Sequence, residues 1–458
     1  MIRRNFKEVE QMVLCSGGTN EYEDIVIKGV SIDSRTLKAG NLFVPIIGES
    51  FDGHQFIKEA IKNGAVAALW KRDVPNPPKN FPLIYVEDTL LALQSLARSY
   101  RNQLAVKVVG ITGSNGKTTT KDMLASILST TFNVQKTEGN LNNHLGLPLT
   151  ILRLAEDTEM AVLEMGMSGR GEIELLSEIA RPNATIITNI GESHLQDLGS
   201  RDAIAEAKLE IIKGLEENGV LVYNGDEPLL ERKLQNTTVH TIRFGTATSN
   251  DLYPLSIKLE GDGTYFTVNK ASSITFFIPV LGKHNVNNAL ATIAVADLFG
   301  VKWENMKNGL QKVKMTTMRM EMVNAKNGLS IINDAYNASP TSMNAAIELI
   351  SGLKGYEKKL VVLGDMLELG ENEVNFHQEI GRQIDPSLVD YVFTFGTLGA
   401  QIAEGAKKMF PNHRVKPFSD KRKLIEELAN LAGTEDIVLV KASRGMKLEE
   451  VVTALKQS

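Results

Sequence analysis

VKVVGITGSNGKTTTKDMLASILS, Val106 to Ser129, runs from an apolar segment through a glycine loop into a helix that opens on Lys117, Thr118 and Thr119. Strand, loop and helix in that order build a nucleotide phosphate site. Gly113 and Gly116 let backbone N–H groups approach an anion without side-chain obstruction, the helix N-terminus adds a favourable dipole, and Lys117 adds a full positive charge. The Thr118 hydroxyl is suited to Mg²⁺. The strict Walker A pattern fails, because the slot five positions before Gly116 holds Ile111. What remains is the shorter loop Gly113, Ser114, Asn115, Gly116, Lys117, Thr118 and Thr119, with ATP as the expected cofactor.

At 458 residues the chain exceeds one hydrophobic core, and its length suggests about three domains. Cys15 is the only cysteine. That excludes an internal disulfide framework and a thiolate metal cluster, and fits a reducing compartment. The N-terminal run MIRRNFKEVEQMVLCSGG is too interrupted for a signal-peptide core, and no later stretch reaches membrane-spanning length. A cytoplasmic chain without a membrane span is expected. With 50 basic against 55 acidic side chains the net charge is −5, so no global field favours nucleic acid and anionic ligands must be held by local groups.

From the loop outward, apolar runs alternate with helical stretches. Residues 1–100 read as a small α/β domain, with strands at Leu42 to Pro45, Ala65 to Trp70 and Leu83 to Val86. Four prolines between Asp73 and Pro82 mark a loop. Residues 101–314 carry the βαβ rhythm of a parallel sheet around the phosphate loop, with strands at Met160 to Leu163, Ala184 to Ile187 and Gly219 to Val222. A segment rich in Thr, Phe and Tyr, Val239 to Pro279, predicts an antiparallel patch beside that sheet. Over 315–458 the rhythm restarts, with strands at Ser330 to Ile332, Leu360 to Leu363, Tyr391 to Phe395 and Ile437 to Val440. The expected fold is therefore α/β in three domains: the N-terminal one, a P-loop-type parallel-sheet domain, and a Rossmann-like doubly wound domain.

Ligands in open parallel sheets gather beyond the carboxyl ends of strands. There the sequence sets Glu164 after MAVL, and Asn189 and His194 after ATII. Glu164 and His194, with Thr118, form a candidate Mg²⁺ site. Lys208, on an amphipathic stretch, reads by pattern alone as a solvated lysine. Asp334, Tyr336 and Asn337 in NDAYNASP, and Lys441, Ser443 and Arg444 in LVKASRG, follow strands of the last domain. Two clefts between three domains, one with a phosphate loop, suit a reaction that joins separate substrates. A carboxylate is a poor electrophile until the γ-phosphoryl of ATP makes it an acyl phosphate that an amine attacks.

Several motifs taken together resemble the Mur ligases, the ATP-dependent amide-forming enzymes of peptidoglycan precursor synthesis. They are IDSRT (32–36), FDGHQF (51–56), GITGSNGKTTT, TEGNLNNHLGLPLT (137–150), LEMGM (163–167), TNIGESHL, AEAKLEI, GKHNVNNALA (282–291), DAYNASP, LGDMLELG (363–370) and VLVKASRG, in order along the whole chain. LGDMLELG and AYNASP, with no DNPR-like motif, favour the branch that adds D-alanyl-D-alanine to UDP-N-acetylmuramoyl-tripeptide.

The resemblance implies that Ser34, Arg35, Asp52, Gly53 and His54 line a UDP-sugar site, with Asn140, Asn142 and Asn143 near the muramoyl peptide. It implies Glu164 and His194 as Mg²⁺ ligands, and Lys208 as a lysine carboxylated to a carbamate that also binds metal. Lys117, His194 and Lys208 are then the catalytic set. Asn285, Arg319 and Asp334 would hold ATP, and Tyr336, Asn337, Lys441, Ser443 and Arg444 would flank the dipeptide. A monomer is expected. Ile47, Ser339 and Ala442 depart from residues common in that branch, where lysine, asparagine and glycine are usual. The alternatives are a related ligase adding lysine, diaminopimelate or glutamate, or a P-loop ATPase acting on a protein partner, which would hydrolyse ATP without carboxylate or amine.

Overall fold

The computed structural model describes residues 1–13 and 22–457; Cys15 lies outside them. The phosphate loop leaves a central strand of a six-stranded sheet. Its strand order is His240–Phe244, Val220–Asn224, Ala184–Ile187, Lys107–Thr112, Met160–Glu164, Val134–Lys136, all parallel. Lys107–Thr112 is buried from Val108 onward, which explains its unbroken apolar run: helices cover both faces of a parallel sheet.

After this strand the chain first builds the Val134 side of the sheet and then returns to the Ala184 side. The switch of direction leaves a crevice at the strand ends. Register fills that crevice with chemistry. Ile111 pairs with Glu164 and Thr112 with Ile187, so the phosphate loop, Glu164 and the segment after Ile187 emerge side by side.

Helix Lys117–Leu128 is anchored by Met123, Leu124 and Ile127, which pack with Val109 and Ile111 of the sheet and with Val286, Leu290 and Ile293 of helix Lys283–Leu298. This core holds the loop between two rigid elements. Of the segment predicted as an antiparallel patch, Pro254–Glu260, Gly263–Val268 and Ala271–Ile278 form a separate three-stranded antiparallel sheet. His240–Phe244 instead joins the central sheet as its parallel edge. Composition marks a strand; only pairing decides its sheet.

The C-terminal sheet has the order Glu321–Asn324, Ser330–Asp334, Ile437–Lys441, Lys359–Gly364, Tyr391–Phe395, Val415–Phe418, parallel except for its first strand. Asp334 and Lys441 are register partners at neighbouring strand ends. Near the N-terminus, Val30–Ser31, Leu42–Phe43, Ala67–Lys71 and Leu83–Val86 form a four-stranded parallel sheet. A short antiparallel pair, Arg3–Asn5 with Val26–Lys28, was not legible because three-residue strands carry no period. No described helix is long and apolar enough to cross a membrane.

Candidate active site

The phosphate loop is shaped by contacts that exclude any side chain at its glycines. Gly113 has φ 145° and Gly116 φ 82°. A Cβ on Gly113 would lie 1.9 Å from Thr188 Oγ1, and one on Gly116 2.5 Å from Asn288 Oδ1. Close approach and left-handed backbone therefore both call for glycine. Asn189 supports the loop from the neighbouring strand end, its Oδ1 accepting from Asn115 N at 2.9 Å and its carbonyl from Ser114 N at 3.1 Å. Lys117 Nζ donates to Gly113 O at 2.8 Å. Burial holds Lys117 below the ordinary lysine value, opposed by the Glu164 carboxylate and reinforced by Arg319.

A cavity of about 270 Å³ separates this loop from the C-terminal sheet. Ser114, Asn115, Gly116, Lys117, Thr119, Asn142, Glu164 and Asn285 line one side, and Arg319, Asp334, Tyr336, Asn337 and Lys441 the other. The two sides are bonded across the gap. Arg319 Nη2 donates to Thr118 Oγ1 at 3.1 Å, Asn115 Nδ2 donates to Ser339 Oγ at 3.2 Å, and Thr341 Oγ1 donates to Glu192 Oε2 at 2.7 Å. Arg319 also stacks over Tyr336, 4.1 Å from the ring centroid, while its buried Nε has no partner within the described residues. Lys441 Nζ donates to Asp334 Oδ2 at 2.5 Å.

Thr118 Oγ1 donates to Glu164 Oε2 at 3.0 Å, and Asn142 Nδ2 donates to Glu164 Oε1 at 2.9 Å. Glu164 is 3 % exposed. A hydroxyl and a carboxylate beside a phosphate loop fit Mg²⁺, which takes one or two protein oxygens and completes its shell with phosphate and water. No described cluster of three His, Cys, Asp or Glu side chains offers an all-protein cage.

His194 and Lys208 stand apart from that pair. They line an adjoining cavity of about 300 Å³ with Lys117, Asn142 and Asn143, so Lys117 faces both spaces. His194 has φ 66°, an uncommon conformation outside glycine, and its Nδ1 lies 3.1 Å from Glu368 Oε2.

Lys208 overturns its pattern reading as a solvated lysine: it is 1 % exposed. Burial, with the Lys117 charge adding to it, pushes its ammonium well below the ordinary lysine range. The folded state therefore binds this proton less tightly than the unfolded chain, and stability rises with pH from the folded pKa up to about 10.4. In buffer free of CO₂, Lys208→Met is expected to be more stable than the parent. Its advantage should shrink as pH rises, by at most about 1.4 kcal/mol per pH unit. Urea unfolding at several pH values measures this. A pH-independent difference would mean that the ammonium reaches solvent.

The other expected contacts are placed unevenly. Ser34 and His54 are buried and bonded internally: Ser34 Oγ donates to Glu59 Oε2 at 2.8 Å, and His54 Nδ1 lies 2.6 Å from Asp52 Oδ1. His54 Nε2 accepts from Lys71 N at 3.3 Å, which makes Nδ1 the protonated nitrogen. Arg35 is exposed and paired with Asp33. Gly53 packs so closely that a Cβ would meet Ile46 N at 2.6 Å. Asn140 is exposed, and Asn143 Oδ1 accepts from Gly146 N at 2.9 Å at the start of a helix.

Ser443 does not line the cavity: it is buried, and its Oγ accepts from Leu367 N at 2.9 Å. The Arg444 guanidinium sits over the Tyr336 ring, 5.9 Å from its centroid, and pairs with Glu449 at 2.9 Å. The departures have local reasons in two cases. Ser339 caps helix Pro340–Gly352 while touching Asn115, and the Ala442 methyl packs where Gly364 leaves room. Ile47 is half exposed and bridges to Asp52.

Sequence reasoning passed over His284, Asn287, Asn288 and Ser342, which also line the cleft. The first three lie in GKHNVNN, whose density of amides at a helix start was the available signal. The sequence places Asn189 at its strand end, and only the fold gives it the role of the loop's support.

Three family models match in series: the Mur ligase family, catalytic domain over residues 26–101, the Mur ligase middle domain over 111–296, and the Mur ligase, glutamate ligase domain over 318–444. The chain is 54% identical over 458 residues to UDP-N-acetylmuramoyl-tripeptide--D-alanyl-D-alanine ligase of Bacillus subtilis (strain 168), covering 100% of this chain and 99% of that relative. The crystal structure of MurF from Acinetobacter baumannii superposes with a TM-score of 0.90 at 31% identity, covering 100% of this chain and 99% of that one. MurF ligase from Thermotoga maritima in complex with ADP superposes with a TM-score of 0.82 at 32% identity, covering 94% and 97%. Matched across its length by family models, a relative and solved folds, the chain belongs to the Mur ligase family.

Proposed function

We infer that the chain is an ATP-dependent ligase that joins D-alanyl-D-alanine to the free carboxylate of UDP-N-acetylmuramoyl-tripeptide in peptidoglycan precursor synthesis. The observation that carries this reading is the cleft in which Lys117 and Glu164 face Arg319, Asp334 and Lys441, in a chain 54% identical to a relative bearing that activity in its name. ATP use is supported by the ADP complex of the Thermotoga maritima relative.

The tripeptide carboxylate attacks the γ-phosphorus, the bond to the β-phosphate oxygen breaks, and ADP leaves. The amine of the dipeptide then attacks the acyl carbon, phosphate departs, and the nitrogen loses a proton. Backbone N–H groups of Gly116, Lys117 and Thr118 cradle the phosphates while Asn189 holds those of Ser114 and Asn115, and Lys117 opposes the charge that develops on the transferred group. Arg319, bonded to Thr118 and stacked on Tyr336, brings a second cation from the opposite wall. Thr118 and Glu164 are the residues suited to hold Mg²⁺, which would neutralise phosphate charge. The contacts Asn115–Ser339 and Glu192–Thr341 keep the walls together and exclude water from the acyl phosphate.

Lys208 acts as a carbamate in this reading. Its neutral amine adds to CO₂ and a proton is lost, so a buried amine beside Lys117 becomes an anion that pairs with it. The UDP-sugar roles of Arg35, Asp52 and Asn142, the dipeptide roles of Tyr336 and Asn337, a monomeric state and a cytoplasmic location belong to the same proposal.

Mass spectrometry of a reaction with ATP, Mg²⁺, UDP-muramoyl-tripeptide and D-alanyl-D-alanine tests it, alongside phosphate release with each substrate omitted. A pentapeptide product, with release dependent on both substrates, is expected. Phosphate release without either would replace the ligase with a hydrolase.

A further inference from the structure

A cavity of about 510 Å³, larger than either space of the active site, shares no lining residue with them. Its floor is the outer face of helix Lys117–Leu128. Lys136 stands on the edge strand of the central sheet, Arg153 ends helix Gly146–Arg153, and Lys312 and Lys314 lie on the segment that leads to the C-terminal sheet. The charged groups of Arg153, Lys312 and Lys314 make no hydrogen bond or ion pair among the described residues. Lys136 Nζ donates to Asp122 Oδ1 at 2.6 Å, and Asp122 Oδ2 accepts from Thr316 N at 2.9 Å and Thr316 Oγ1 at 2.7 Å. The lining thus carries four cations against the two carboxylates of Asp122 and Glu138, an excess of positive charge around one concavity on a chain whose net charge is −5.

Like charges around a concave surface focus a positive potential, which a compact anion relieves by pairing with several at once. The volume suits a small molecule. No aromatic side chain lines the cavity, so it offers no stacking platform for a base or a nucleic-acid strand. We propose that this cavity is a second anion site, taking a compact di- or triphosphate between Lys136 and Arg153 on one side and Lys312 and Lys314 on the other. Such an anion ties the edge of the central sheet to the segment running through Thr316 to Arg319, the residue that bonds Thr118 in the cleft. The site does not depend on which amine or carboxylate the enzyme joins.

The test is calorimetric titration of tripolyphosphate into the full chain kept saturated with ADP, so that the phosphate loop is already filled. One equivalent is expected to bind the parent. Affinity should fall by about tenfold or more in Lys312→Glu/Lys314→Glu, whereas Lys354→Glu/Lys408→Glu, which makes the same charge change at exposed positions elsewhere, should bind as the parent does. Arg153→Glu supplies an independent variant from the opposite wall, with thermal melting to confirm folding of each. Absence of binding to the ADP-saturated parent, or equal weakening in both double variants, would overturn the site.

Discussion

Lys117→Ala is expected to lower the rate of ATP-dependent ligation by about 10³-fold or more, with the fold retained. A preorganised charge on a transferring phosphoryl group contributes roughly 10²- to 10⁵-fold to rate. At about 1.4 kcal/mol per tenfold, a 10³-fold loss is about 4 kcal/mol of transition-state stabilisation. The same side chain contributes little to folding, because its ammonium is desolvated and, among the described residues, bonds only the Gly113 carbonyl. Thermal melting of the variant should match the parent or exceed it. Single-turnover formation of ADP, compared with the melting curve, separates the two effects. Parent-like turnover would remove the phosphate loop from the mechanism.

Lys208→Ala is expected to cost about 10²-fold or more in turnover, and added formate or acetate should restore a measurable part of it. The expectation rests on burial. An ammonium that is 1 % exposed, with Lys117 as the charge acting on it, is poorly placed as a cation and well placed as the anion that carbamylation would make. Truncation to alanine leaves room for a small carboxylate at that position. Turnover should therefore depend on carboxylate concentration in the variant and not in the parent. Full activity without rescue would return Lys208 to a packing role.

These two lysines show how differently the site was legible. The Lys117 loop announces itself, since two glycines, a lysine and two threonines between an apolar strand and a helix have few other uses. Lys208 gives no such signal. Its helix, Arg201–Leu209, reads as an ordinary amphipathic surface helix, and the lysine's burial arises only when neighbouring elements pack over it. Only the resemblance of AEAKLEI to the family motif marks it in the sequence. Ser443 and Arg444 illustrate the reverse: the motif LVKASRG is conspicuous, yet Lys441 alone of its three polar residues reaches the cleft.

Long-range partners were the least legible. His194 meets Glu368, and Thr118 meets Arg319, across more than a hundred residues of intervening chain, and nothing local to either segment encodes the other. The His240–Phe244 strand was likewise placed with the wrong neighbours, because strand propensity is local and sheet membership is not.

The sequence by itself determined the α/β rhythm, the phosphate loop and the residues at strand ends, because backbone propensity, alternation of apolar runs and glycine stereochemistry act over a few residues. Only the tertiary structure decided which strand ends share a crevice, that Lys208 is buried beside Lys117, and that Arg319 crosses to Thr118. Register and the packing of distant helices set those distances, and the desolvation that shifts a lysine's charge exists only once the surrounding chain has closed over it.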